Sequence, residues 1–172
     1  MKSITAFLLV LTFIFCFTPN LSADSNTQII YETTDLGSGR WEYTYDVMNI
    51  SLTEGIEEFT VWFDYGLYDN LTVSTPETPS DWDQIVWQVE PALGDPGGYD
   101  ALATNLSIGI GESLSGFSVS FDWLDIGEPG SQYYEIIDPV TFGTIESGYT
   151  VPEPATCLLL LSGGVLLRRR KT

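Results

Sequence analysis

Residues 41–47 read Trp-Glu-Tyr-Thr-Tyr-Asp-Val, and every second side chain, Trp41, Tyr43, Tyr45 and Val47, is aromatic or aliphatic. Successive side chains of an extended strand point to opposite faces. Such an alternation therefore sets one face in a core and the other in water. The same period recurs along the chain. Phe117, Val119, Phe121 and Trp123 alternate with Ser118, Ser120 and Asp122. Phe59, Val61, Phe63 and Tyr65 alternate with Thr60, Trp62 and Asp64, and Ile85, Trp87 and Val89 alternate with Val86 and Gln88. Weaker strand candidates cover 28–33, 71–75, 101–110, 133–137 and 141–146. Turn formers separate them: Gly37-Ser38-Gly39, Pro76 and Pro79, Asp95-Pro96-Gly97-Gly98, Glu128-Pro129-Gly130 and Asp138-Pro139. No helix-period segment of useful length precedes residue 155, and no repeat suggests a solenoid or propeller. The expected fold class is mainly β, a single antiparallel β-sandwich of about eight or nine strands.

The charges divide the chain into three parts. Among 172 residues, 24 Asp and Glu stand against 6 Lys and Arg, a net charge of −18 with no His. Every carboxylate lies between Asp24 and Glu153, where Arg40 is the lone base. Lys2 sits at one end, and Arg168, Arg169, Arg170 and Lys171 at the other. This distribution excludes nucleic-acid binding, which needs clustered cations against phosphate. The domain is expected over 24–150, long enough to bury one core. Both cysteines, Cys16 and Cys157, fall outside it, so no disulfide supports it and its stability rests on packing.

Residues 1–23 read as a secretory signal peptide with a helical apolar region. Lys2 is followed by an apolar run from Ile4 to Phe17, then Pro19-Asn20 and the small residues Ser22 and Ala23. Cleavage is expected after Ala23; an uncleaved anchor is the alternative. Cys16 lacks the small neighbours a lipoprotein site needs.

Residues 151–172 form the third part. Val151-Pro152-Glu153-Pro154 opens it in an extended, helix-forbidding conformation. An apolar stretch from Ala155 to Leu167 follows, carrying the Gly163-Gly164 pair, and then the basic cluster. As a helix it would span roughly 20 Å, short for a ~30 Å hydrocarbon core, and the basic cluster would stop translocation. The tail thus reads as a short transmembrane helix giving transient membrane association. The Pro-Glu-Pro tripeptide, the short apolar helix and the terminal Arg cluster resemble, in order and position, the PEP-CTERM sorting signal. That resemblance implies Pro152, Glu153, Pro154, Arg168, Arg169 and Arg170 as sorting residues. It implies export by the general secretion machinery and tethering at the inner membrane. Processing by an exosortase would follow, with delivery to the cell surface or extracellular polysaccharide matrix of a Gram-negative bacterium. The same tail is also called an ice-binding protein C-terminal motif, but the domain has no Thr-x-Thr ladder for matching ice. A plain tail anchor that is never cut is the alternative.

The middle segment carries few chemical signals. Without His or a domain Cys, His- and Cys-based nucleophilic catalysis is excluded, and no enzyme is expected. Gly111-Glu112-Ser113-Leu114-Ser115-Gly116 misplaces the second glycine of a nucleophile elbow and has no helix after it. No cofactor is expected. The weak Ca²⁺ candidates are Asp95 and Asp100, which bracket a Gly-Gly turn; the alternative is that carboxylates only keep an exported domain soluble. Of five Trp, Trp41, Trp87 and Trp123 read as core, whereas Trp62 falls on a polar face and Trp82 lies in the polar stretch 79–83. Trp62 and Trp82 are therefore the candidate glycan-binding aromatics, and the acidic surface favours neutral or cationic sugars. A structural or adhesive matrix role is expected first, a glycan-binding module second. The sequons at Asn49, Asn70 and Asn105 read as chance occurrences in a bacterial chain.

Overall fold

Gly37, Ser38 and Gly39 take φ values of 86°, 58° and 83°, and this left-handed tip closes a long hairpin. Glycine takes φ above zero without Cβ strain, so the two glycines carry the reversal. The arms are β1 (Thr27–Gly37) and β2 (Arg40–Asn49). The computed structural model describes residues 25–154. The remaining strands are β3 (Glu58–Phe63), β4 (Tyr68–Val73), β5 (Trp82–Trp87), β6 (Gly97–Ala103), β7 (Ser113–Trp123), β8 (Tyr133–Ile137), β9 (Thr144–Tyr149) and β10 (Val151–Pro152). They build two five-stranded sheets, ordered β10-β1-β2-β7-β4 and β5-β6-β3-β8-β9. All pairings are antiparallel except β1 with β10.

The alternation in residues 41–47 and 117–123 becomes the inner face of the first sheet. Tyr43, Tyr45, Val47, Phe117, Val119 and Phe121 are wholly buried. Opposite them, Phe59, Val61, Phe63, Tyr99, Ala101 and Ile136 fill the inner face of the second sheet. Aromatic rings join the layers: Phe59 meets Phe117 edge-on at 4.9 Å, and Tyr43 stacks on Phe121 at 4.9 Å. Buried phenols need partners. Gln132 supplies them, its amide nitrogen donating to Tyr43 Oη and Tyr68 Oη while its Oε1 accepts from Tyr45.

Four expectations need correction or restriction. Among the described residues there are ten strands rather than eight or nine, and Val151–Pro152 adds a short strand past the expected domain end at 150. The β6 strand begins at Gly97 and ends at Ala103, so the Gly97-Gly98 pair read as a turn lies inside a strand. The phase of β5 is inverted. Trp82 and Gln84 point inward and Asp83, Ile85 and Trp87 outward, whereas Ile85 and Trp87 were expected in the core. A one-residue slip moves a strand's whole apolar set to the other face. Here Gln84 holds the phase from inside, receiving the Tyr99 hydroxyl and donating to the carbonyls of Thr75 and Thr78. The expected signal helix and C-terminal apolar helix fall in 1–24 and 155–172, outside the described residues.

Candidate functional site

The outer face of the second sheet carries an aromatic row. Trp62, Gly98 and Trp87 are directly paired across β3, β6 and β5. A Cβ on Gly98 would overlap the Trp87 ring, so the indole lies directly against that glycine's backbone. Glycine inside a strand allows this close approach. Trp87 is 36% exposed and meets Trp62 edge-on at a centroid distance of 5.6 Å. Trp62 Nε1 donates to Glu135 Oε2 at 2.9 Å, and Glu135 Oε1 accepts from Thr144, which fixes the ring's orientation. The row continues on β8 and β9, where Tyr133 and Tyr149 pair with ring centroids 5.6 Å apart. Exposed Ile85 and Leu102 extend the apolar surface. The outer face of the first sheet differs, presenting Glu42, Thr44, Ser118 and Ser120.

Carboxylates are interleaved with these rings. Glu58, Asp83, Asp100 and Glu135 occupy the outward positions of their strands. Burial, then the Asp83 charge, pushes the Asp100 carboxyl up; the 2.6 Å bond from Thr60 Oγ1 partly offsets this. Glu58 is also raised, by burial first and then by Asp100 and Asp138. Arg40, the sole base of the described residues, pairs with Asp122 on the first sheet, at 3.0 Å. Among the described residues the candidate face is therefore negative without a compensating cation.

A raised carboxyl favours its proton in the folded state, so its stability contribution is present below the unfolded value of 3.8 and lost as pH rises through the folded one. Asp100→Asn keeps an acceptor for Thr60 and removes the charge. We expect its Tm to exceed that of the parent by about 1–3 °C at pH 7. The gain should vanish near pH 3, where the parent is protonated too. An equal gain at both pH values would contradict the burial of this charge.

The expected site residues divide. Trp62 is on the outer face. Trp82 is not: at 3% exposure it packs on Phe59 and Phe117, and it reaches only the floor of a cleft of about 660 Å³ lined also by Asp81, Leu106 and Glu112. Asp95 and Asp100 are not brought together. Asp95 bonds through its backbone to Glu90 in the β5–β6 loop, while Asp100 sits three residues into β6. Among the described residues no group of three or more Asp, Glu, His or Cys could hold a metal ion. Asn49 is buried and binds the backbone of Leu52 and Ile108, so this sequon serves the fold. The sequence pattern places Trp87 in the core and does not mark Tyr133 or Tyr149 as site residues; the Gly97-Gly98 pair is the one hint of the outward position of Trp87.

The chain leaves the second sheet at Thr150, which is 1% exposed. Its N–H donates to Gln132 O at 2.8 Å, and its Oγ1 accepts from Gln132 N at 2.9 Å. Val151 and Pro152 then lie parallel to β1, opposite Ile30 and Tyr31, and Glu153 N–H donates to Tyr31 O at 2.9 Å. The described chain ends with Pro154, exposed beside this edge.

The family pattern for the PEP-CTERM protein-sorting motif matches residues 150–171. The chain carries a PEP-CTERM sorting motif. This motif is the exosortase-recognised signal by which exported proteins are sorted through the membrane toward the cell surface. Of the PEP-CTERM residues, Pro152, Glu153 and Pro154 lie on the edge of the sandwich, and Arg168, Arg169 and Arg170 lie outside the described residues. No curated protein matches the sequence. Several solved structures show a distant similarity to the chain. One is a GH20 exo β-N-acetylglucosaminidase of Vibrio harveyi, at 9% identity and TM-score 0.41, over 76% of this chain and 18% of that one. The chain thus spans under a fifth of that enzyme's length. Another is a family 3b carbohydrate-binding module from the biomass sensoring system of Clostridium clariflavum, at 12% identity and TM-score 0.40, over 75% and 87%. A third belongs to a type I cohesin–dockerin complex of Clostridium thermocellum, at 16% identity and TM-score 0.38, over 74% and 99%. Likeness at this level assigns neither a ligand nor a residue.

Proposed function

We propose that the released domain is a structural and adhesive component of a polysaccharide matrix at the surface of a Gram-negative bacterium. It holds glycan on the outer face of the second sheet and performs no catalysis. The observation that supports this reading is the Trp87 indole packed against Gly98, with Trp62 beside it and part of the ring exposed. A partly exposed, rigid aromatic ring offers a sugar ring a surface to stack on, at low entropic cost because Gly98 and Trp62 already hold it. Glu135, Asp100 and Asp83 then stand as hydrogen-bond partners for hydroxyl groups around the rings, with Asp100 held by the buried Thr60 hydroxyl. Their charge repels acidic sugars, so the fitting class is a neutral or cationic glycan. Retention of the purified released domain on the extracellular polysaccharide of its own host tests the reading. Retention that Trp87→Ala abolishes is expected. Equal retention of parent and variant would remove this face from the function.

A further inference from the structure

We infer that the processing cut falls on the C-terminal side of Glu153, so that Val151–Glu153 stays with the released domain as its edge strand. The inference rests on the sorting reading and locates the modification within it. Cutting earlier would damage the fold. Hydrolysis of the bond after Thr150 would place a new carboxylate on a residue that is 1% exposed and bonded to Gln132, inside the polar cluster that serves Tyr43, Tyr45 and Tyr68. An unpaired charge buried there is costly. The next two bonds lie within the docked strand. Enzymes that cut or transfer peptides commonly hold them extended, through a free backbone edge. One edge of β10 is already taken by β1, with Glu153 N–H on Tyr31 O.

The other edge has lost its donors. In a parallel pair Tyr31, opposite Pro152, bonds to the neighbours of Pro152, so that residue's own nitrogen faces away from β1. Pro154 falls two residues on, in the same phase. Neither nitrogen carries a hydrogen, so the outer side of the Pro-Glu-Pro strand cannot donate to a further strand. The tripeptide therefore also acts as an edge guard: it covers Ile30 and Tyr31 of β1 and blocks edge-to-edge association. A protein concentrated in a surface matrix keeps that protection only if the cut spares Glu153. In the cut itself water supplies hydroxyl to the carbonyl of the domain's new last residue. The tail leaves with a free amine, and no oxidant or cofactor is consumed.

Intact mass and the C-terminal peptide of the protein released by its native host test this. The expected chain ends at Glu153 or beyond and lacks Arg168 to Lys171. In that product the Glu153 amide should exchange with solvent at least about tenfold more slowly than a free chain. A chain ending at or before Pro152, or a Glu153 amide exchanging at the free-chain rate, would overturn the inference and leave the sorting reading intact. A chain found only uncut, with its basic cluster, would overturn both.

Discussion

Trp82→Ala is expected to lower the stability of the sandwich by about 3–5 kcal/mol, the range for a large aromatic removed from a packed core. For a domain of this size that is a fall in Tm on the order of 10–20 °C. The indole is 3% exposed and wedged between Phe59 at 6.0 Å and Phe117 at 5.2 Å, so truncation opens a cavity between the two sheets. Its buried Nε1 has no hydrogen-bond partner among the described residues. Trp82→Phe removes that donor and keeps most of the contact, so it should cost clearly less than the alanine variant. Thermal melts of the three proteins check both statements. A Trp82→Ala domain that melts like the parent would place this side chain at the surface, and the inverted phase of β5 would be wrong.

Trp87→Ala should behave in the opposite way. Polysaccharide affinity is expected to fall tenfold or more, since one well-placed aromatic contact is worth about 1–2 kcal/mol and 1.4 kcal/mol is tenfold. The melting temperature should move little, because the ring is 36% exposed and lies outside the core. Gly98→Val tests the same platform from below, since any Cβ at that position strikes the indole and lifts it from the sheet. Binding should fall with Trp87 still present. A loss in Trp87→Ala that tracks a loss of folded protein by circular dichroism would count against a binding role. A loss of binding in a fully folded variant supports it. Trp62→Ala is expected to weaken binding as well, by freeing Glu135 and removing the edge that holds Trp87.

Much of this protein was legible in its residues because the relevant physics is local. The alternation at 41–47 and 117–123 needs only a strand and one buried face, and Tyr43, Tyr45, Phe117 and Phe121 are buried as it requires. The sorting motif is a contiguous pattern of proline, apolar residues and arginines, so its recognition needs no tertiary structure. The absence of His and of a domain Cys limits the available chemistry whatever the fold. The aromatic site required more. Along β5 both residue parities contain apolar side chains, Trp82 and Val86 on one and Ile85 and Trp87 on the other, so periodicity alone does not choose the buried set. Tertiary contacts made the choice: Gln84 is bonded from within by Tyr99, and Gly98 leaves room for Trp87 outside. The same holds for the tail. Two prolines announce an extended segment, but only packing decides that Thr150 is anchored on Gln132 and that the next residues lie against β1. Local pattern specified which segments extend and where the chain is sent. Long-range contacts between residues far apart in sequence decided which faces are buried, which aromatics reach solvent, and where the folded domain ends.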